Sequence, residues 1–137
     1  MRFEGQSIQC SMSDEGIAEI RFDLQGDSVN KFNKATLAEL GQVLALIKAE
    51  PGVKGLLATS AKDCFIVGAD VTEFTDYFKN PEDQLVGWIM EVHKLFCSVE
   101  DFDFPTVTAI NGFALGGGLE FALTTSYRVM SSTAKIG

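Results

Sequence analysis

Hydrophobic positions near the start of the chain fall two apart. In "SIQCSM" and "GIAEIRFDL" apolar and polar residues alternate, and "SDEG" between them is a turn signal. The pattern predicts an antiparallel hairpin. The polar stretch "QGDSVNKFN" reads as a loop. The period then lengthens. Leu37, Leu40, Val43, Leu44 and Ile47 share one face of "NKATLAELGQVLALIKAEPG" at helical spacing. Asn33 is placed to cap that helix, and Pro51-Gly52 ends it. "VKGLLATS" is short and mostly apolar, which predicts a buried strand.

The segment "AKDCFIVGAD" follows, ending at Asp70. Asp70 and Glu73, three residues apart, predict a capping box for a short helix through Phe78. A second long helix is expected from about Pro81 to Asp101, with Pro81 at its first position. Leu85, Trp88, Ile89, Val92, Leu95, Phe96 and Val99 form its stripe, which reads as core packing. "PTVTAIN" is a third buried strand, "LEFALTTS" a helix and "YRVMSS" a strand. The order β-β-α-β-α-α-β-α-β is an α/β pattern. A strand-like "AKI" begins near the end with nothing after it to pack against. No repeat, low-complexity tract or linker divides residues 1–137, so one domain is expected.

Composition narrows the classes. The chain is 46% apolar and 22% charged, which suits a globular core. Its net charge of −8 argues against nucleic acid and anionic membrane surfaces as partners. A phosphate-bearing ligand must then be held by local groups. Cys10, Cys64 and Cys97 are widely spaced, with no C-x-x-C, and read as three reduced thiols. The single His93 lacks ligand spacing, so no metal site is expected. The N-terminus has no apolar signal region and no window reaches about 18 apolar residues. These features lead us to expect a cytoplasmic protein.

Between the third strand and its helix lies "NGFALGGGLEFAL", which sets three glycines beside a lone carboxylate. No Lys-Ser or Lys-Thr follows, so it is not a P-loop, and the spacing is not G-x-G-x-x-G. Gly112 and Gly116 form a G-x-x-x-G, but Glu120 rules out a membrane helix. What remains is strand, glycine turn and helix N-terminus. Unpaired N–H groups there, reachable past glycines, suit an anion or an oxygen that becomes negative during reaction. Glu120 is placed one turn into the helix to act as acid or base. The alternative is a tight junction with a capping carboxylate. "FIVGADVTEF" repeats the architecture: a strand end, Gly68-Ala69, and a helix start at Asp70. Two such N-termini could converge on one oxygen.

"DCFIVGADVTEF", "PTVTAINGFALGGGLEFAL", "YRVMS" and "AKIG" together resemble the enoyl-CoA hydratase/isomerase (crotonase) family. The resemblance implies a crotonase-like spiral of ββα units, C-terminally truncated here, as the start of a longer β-oxidation multienzyme subunit. It implies hydration of trans-2-enoyl-CoA, with linked 3-enoyl to 2-enoyl isomerisation. The coenzyme A thioester is then the substrate, and no separate cofactor is called for. The thioester oxygen would lie between the N–H groups of Ala69 and Gly117, and Glu120 would activate water. The family's second glutamate would follow "AKIG", beyond Gly137. Coenzyme A would be bound around Ala61, Lys62, Asp63, Cys64 and Phe65, with Gly68, Asp70 and Gly116 flanking the donors. Lys31 and Lys62 are candidates for its phosphates. Asp70 and Glu73 fit capping, Asp101 and Asp103 fit solvated positions, and His93 fits a structural one. Implied partners are acyl-CoA, a second copy in a homo-oligomer, or a thiolase subunit in the longer protein. A competing reading is an inactive fragment that only binds acyl-CoA or self-associates.

Overall fold

The computed structural model describes residues 1–137. Strands β1 (Arg2–Glu4), β2 (Ile8–Met12) and β3 (Ile17–Phe22) are antiparallel neighbours. Alternation decides their faces: Ile8, Cys10, Ala18, Ile20 and Phe22 point inward and are buried. Helix α1 (Lys34–Ala49) starts where expected, with the Asn33 side chain accepting from the Thr36 N–H at 2.8 Å. Next come β4 (Gly55–Ser60), a single 3₁₀ turn (Val71–Glu73), α2 (Phe74–Tyr77) and α3 (Glu82–Glu100). The last part holds β5 (Thr106–Ile110), β6 (Phe113–Ala114), α4 (Gly117–Thr124), β7 (Tyr127–Met130) and β8 (Lys135–Ile136).

One six-stranded sheet runs in the order β1-β2-β3-β4-β5-β7. Beyond the hairpin, β3–β4, β4–β5 and β5–β7 are all parallel. A parallel partner cannot be reached by a tight turn, so each step needs a crossover. The helices α1, α2–α3 and α4 supply the three crossovers. A second, small sheet pairs β6 with β8.

The core is a cluster of 21 buried residues. Its centre is aromatic: Phe22 and Phe121 meet nearly perpendicular with ring centroids 5.5 Å apart, and Phe32, Phe65 and Phe96 pack around them. Edge-to-face contacts of this kind fix the rings beyond what burial alone does. Asn30 is the polar counterpart. It is 2% exposed and makes four side-chain hydrogen bonds, to Leu24, Phe22, Ser60 and Phe65.

The α/β pattern holds, and several details change. The "AKI" run is paired, though its two strand residues stay exposed: it forms β8, pairing Lys135 and Ile136 with Phe113 and Ala114, and Gly116 N–H donates to Gly137 O at 2.7 Å. Pro81 is the cap of α3 and not its first helical residue. Asp70 does cap the 3₁₀ turn, accepting from the Thr72 N–H at 3.1 Å. The box is not closed, because the Glu73 carboxylate turns away to the Lys34 N–H at 3.0 Å. Only Phe96 and Val99 of the α3 stripe are buried. No helix is long and apolar enough to cross a membrane.

Candidate active site

The chain leaves β5 through Asn111, whose side chain donates to the Lys62 carbonyl at 2.6 Å. After β6 it turns sharply. Gly118 N–H donates to Leu115 O at 2.9 Å, and Gly116 sits between at φ 48° and ψ −123°. That is a tight turn with glycine at the first central position, where a side chain would be strained. Gly118 is needed for another reason: a Cβ there would overlap the Ile66 carbonyl oxygen. Helix α4 therefore starts at Gly117, two residues earlier than the sequence pattern suggested, and Glu120 falls in its first turn. The Gly117 N–H has no partner within its own helix.

A second donor arrives by a different route. Phe32 and Ala69 form a single parallel bridge: Phe32 N–H donates to Gly68 O, and Asp70 N–H donates to Phe32 O. In such a bridge the intervening residue turns its own N–H to the other side. The Ala69 N–H is thus freed by a single bridge, where the sequence pattern predicted a strand end. The expected helix N-terminus at Asp70 is a 3₁₀ turn leading to a four-residue helix.

The two segments that carry these donors line the same space. A Cβ on Gly117 would lie 4.0 Å from Ala69 N, 3.8 Å from Glu120 Oε2 and 3.4 Å from the Phe32 ring. Gly117, Ala69, Asp70 and Glu120 all line one cleft of about 410 Å³. The rest of its wall is largely apolar, with Phe74, Tyr77, Trp88, Ile89, Val92 and Phe96. Its three carboxylates differ. Asp70 is held below the usual carboxylate range, first by the Thr72 hydroxyl, then by the Thr72 N–H and Lys31. Glu73 accepts from the Lys34 N–H. Glu120 is exposed in the first turn of the helix, its N–H donates to Gly116 O at 2.9 Å, and its carboxylate accepts no hydrogen bond from the protein. The arrangement offers two backbone donors, one free carboxylate and an apolar channel.

The remaining sequence candidates lie outside the cleft lining. Gly68 is buried at φ 108° and shapes the path to Ala69. Ala61 N–H donates to Phe22 O, and Lys62 N–H to the Ser60 hydroxyl. Cys64 is buried and its carbonyl accepts from Ser60, while Asp63 is exposed. Phe65 sits inside the core: its ring is fully buried, its N–H donates to Phe113 O and its carbonyl accepts from Asn30. Both lysine candidates are paired. Lys31 Nζ lies 2.9 Å from Asp27 and 3.5 Å from Asp70, and Lys62 Nζ lies 3.4 Å from Asp23. No group of three or more His, Cys, Asp and Glu side chains stands close enough to hold a metal ion.

The sequence reading missed part of the cleft. His93, Trp88, Ile89 and Val92 line it, although the stripe of α3 was assigned to the core. The spacing held a signal: His93 lies four after Ile89 and three before Phe96, on the same helix face. Tyr77 and Phe74 had no such signal, because they reach the cleft from a four-residue helix.

Comparison with known proteins gives a consistent result. Residues 12–137 match the family described as enoyl-CoA hydratase/isomerase. The chain is 55% identical over 137 residues to the fatty acid oxidation complex subunit alpha of Pseudomonas entomophila (strain L48), covering 100% of this chain and 19% of that protein. The corresponding protein of Pseudomonas putida (strain GB-1) is 54% identical over the same span. The chain thus spans about a fifth of the length of these relatives. An enoyl-CoA hydratase from Shewanella pealeana superimposes with a TM-score of 0.87 at 25% identity, over 95% of this chain and 48% of the other. An enoyl-CoA hydratase from Bacillus anthracis gives 0.83 at 28% identity, over 96% and 50%.

Proposed function

The chain belongs to the enoyl-CoA hydratase/isomerase family, and from that premise we propose that its cleft hydrates 2-enoyl-CoA thioesters. The observation that carries the reading is that Gly117, Ala69 and Glu120 line one largely apolar cleft, with Ala69 N and Glu120 Oε2 both within about 4 Å of the position a Cβ on Gly117 would take. The thioester oxygen accepts from the Ala69 and Gly117 N–H groups. Glu120 takes a proton from water as the water oxygen bonds to C3. The electron pair of the double bond moves toward the carbonyl, and the oxygen gains negative charge between the two donors. Donors aimed at that developing charge lower the barrier, and losing one costs about 10²–10³ in rate. A proton then adds to C2 from an acid that follows Gly137 in the longer protein, and Glu120 returns the proton it took to solvent. The linked 3-enoyl to 2-enoyl isomerisation removes a proton from C2, forms a dienolate whose charge falls on the same oxygen, and returns a proton at C4. Acyl-CoA is the substrate. A second copy or a thiolase subunit is the protein partner of the longer assembly.

A specific observation favours a second reading for the 137-residue polypeptide by itself. Asp70 and Glu73 are engaged with Thr72 and Lys34, so Glu120 would both activate water and supply the C2 proton. Tyr127, Val129 and Met130 of β7 are also exposed. On this reading the polypeptide binds acyl-CoA or self-associates without turnover. The test is a crotonyl-CoA hydration assay on the polypeptide and on a version extended past Gly137. Turnover in the extended form only supports both readings. Turnover in neither, with both folded, overturns the first. Equal turnover in both overturns the second.

A further inference from the structure

We propose that Trp88 sets the acyl chain length accepted by the cleft, by walling it off from a second apolar groove. The inference rests on the thioester reading of the cleft. Its first support is a shared wall. Leu37, Trp88 and Val92 line both the cleft and a groove of about 220 Å³ between α1 and α3. Trp88 is the largest of the three. The groove also touches Ala38 and Leu95, with Lys34 and Glu91 giving it a charged rim.

The second support is that the indole is stacked on a side chain that is itself held in place. The Tyr77 ring stacks on it with centroids 4.1 Å apart and planes 25° apart. Tyr77 is only 6% exposed, and the Lys34 ammonium lies 4.6 Å from its ring centroid. Such a cation above a ring adds to the stack. The Glu73 carboxylate, just before α2, accepts from the Lys34 N–H and joins the same assembly. Trp88 is thus backed by a buried aromatic ring. A tail whose thioester oxygen is anchored at Ala69 and Gly117 runs along the apolar lining, and a long tail meets the indole. With the indole gone, cleft and groove join into one channel open at the charged rim. Short tails gain nothing from this, while longer ones gain buried surface.

The experiment measures binding, so it does not depend on turnover. Butyryl-CoA and dodecanoyl-CoA, both saturated, are titrated calorimetrically into the native chain and into Trp88→Ala. In the native chain the two bind within a few-fold of each other. In Trp88→Ala the preference for dodecanoyl-CoA rises at least about tenfold, the gain from two further buried methylenes. Adding Ala38→Phe, which fills the groove without touching the cleft, reverses that gain. Trp88→Leu keeps an apolar side chain against Tyr77, shifts the preference the same way by less, and serves where circular dichroism shows the alanine variant unfolded. An unchanged preference in the folded variants overturns the role of Trp88. So does a native chain that already favours dodecanoyl-CoA strongly. Binding of neither thioester to the folded native chain overturns the thioester reading itself, and this inference with it.

Discussion

The side-chain amide of Asn30 donates to the Phe65 carbonyl at 3.0 Å, joining segments 35 positions apart inside the protein. The same amide reaches Phe22 O and the Ser60 hydroxyl, and its oxygen accepts from the Leu24 N–H at 2.9 Å. Val67 N–H donates to the Asn30 carbonyl as well. One residue thus fixes the segment that runs on to Gly68 and Ala69. Asn30→Leu is expected to destabilise the protein by about 2–4 kcal/mol, since several buried groups lose their partner. Urea unfolding measures it, and a loss under about 0.5 kcal/mol would show that Asn30 is not the tie described.

Asn30 also marks the limit of what the sequence discloses. It lies in "QGDSVNKFN", which reads as a polar loop, and nothing local says that its side chain is buried. Elements with a period of their own were legible. These include the hairpin of β2 and β3, α1 with its Asn33 cap, the buried strands β4 and β5, and the crossover α3. Elements defined by a partner were not: β6 and β8 have two residues each and exist because they pair. The glycine turn was legible in kind, because the spacing of Gly116 to Gly118 before Glu120 implies a strand-to-helix junction. How Ala69 comes to face it was not, since that depends on its bridge to Phe32.

Glu120→Gln tests the proposed chemistry in a version extended past Gly137 and active. Glutamine keeps the shape but cannot take the proton. Because the Glu120 carboxylate accepts no hydrogen bond from the protein, folding should be little changed. Hydration of crotonyl-CoA is expected to fall by about 10²–10⁴-fold, with acyl-CoA affinity kept within a few-fold. Near-normal turnover would remove Glu120 from the mechanism.

Gly117 and Gly118 are adjacent, yet their alanine variants should behave oppositely. A Cβ on Gly117 meets the Phe32 ring at an ordinary 3.4 Å and points into the cleft. Gly117→Ala should therefore fold with a near-native melting temperature but bind acyl-CoA more weakly and turn over more slowly. Gly117→Val should be worse on both counts, since a branched side chain fills more of the cleft. A Cβ on Gly118 runs into the Ile66 carbonyl, which is backbone and cannot step aside. Gly118→Ala should thus lose stability, by about 1–3 kcal/mol for forced overpacking. Thermal melts and binding titrations on the pair decide it. A stable Gly118→Ala, or a Gly117→Ala with native affinity, contradicts the geometry.

Burial pushes the Cys10 thiol up to about 11, with the Met1 ammonium opposing and Glu19 adding to the shift. The folded protein therefore holds this proton more tightly than the unfolded chain does. The resulting stability is fully present below the unfolded thiol value, near 9.0. It is lost as pH rises through about 11. Burial raises Tyr77 too, which acts in the same direction. Urea unfolding at pH 8 and pH 10.5 should show a drop in the native chain and a smaller drop in Cys10→Ala, where the Tyr77 contribution remains. Equal drops would mean that Cys10 ionises alike in both states. In the folded chain Cys97, which is exposed, should react with iodoacetamide well before Cys10 and Cys64, which are buried.

Strand β7 is paired with β5 along one side and has no neighbour along the other. All four of its residues are exposed, with Tyr127 at 63% and Val129 at 65%. Leu123 and Ile136 add exposed apolar surface nearby in sequence. An open edge with apolar side chains is a template for a second strand, and proteins usually guard such edges with charge. Arg128 does not serve as that guard, because its guanidinium is turned back to the Thr125 carbonyl at 2.7 Å. The 137-residue polypeptide by itself should therefore associate at micromolar to millimolar concentrations, seen by sedimentation as a concentration-dependent mass. Val129→Lys places a charge on the edge and should shift the population toward monomer while leaving acyl-CoA binding intact at the cleft, whose lining includes no residue of β7. A polypeptide that stays monomeric throughout would show that this edge is harmless as it stands. Association that persists unchanged in Val129→Lys would place the contact elsewhere on the surface.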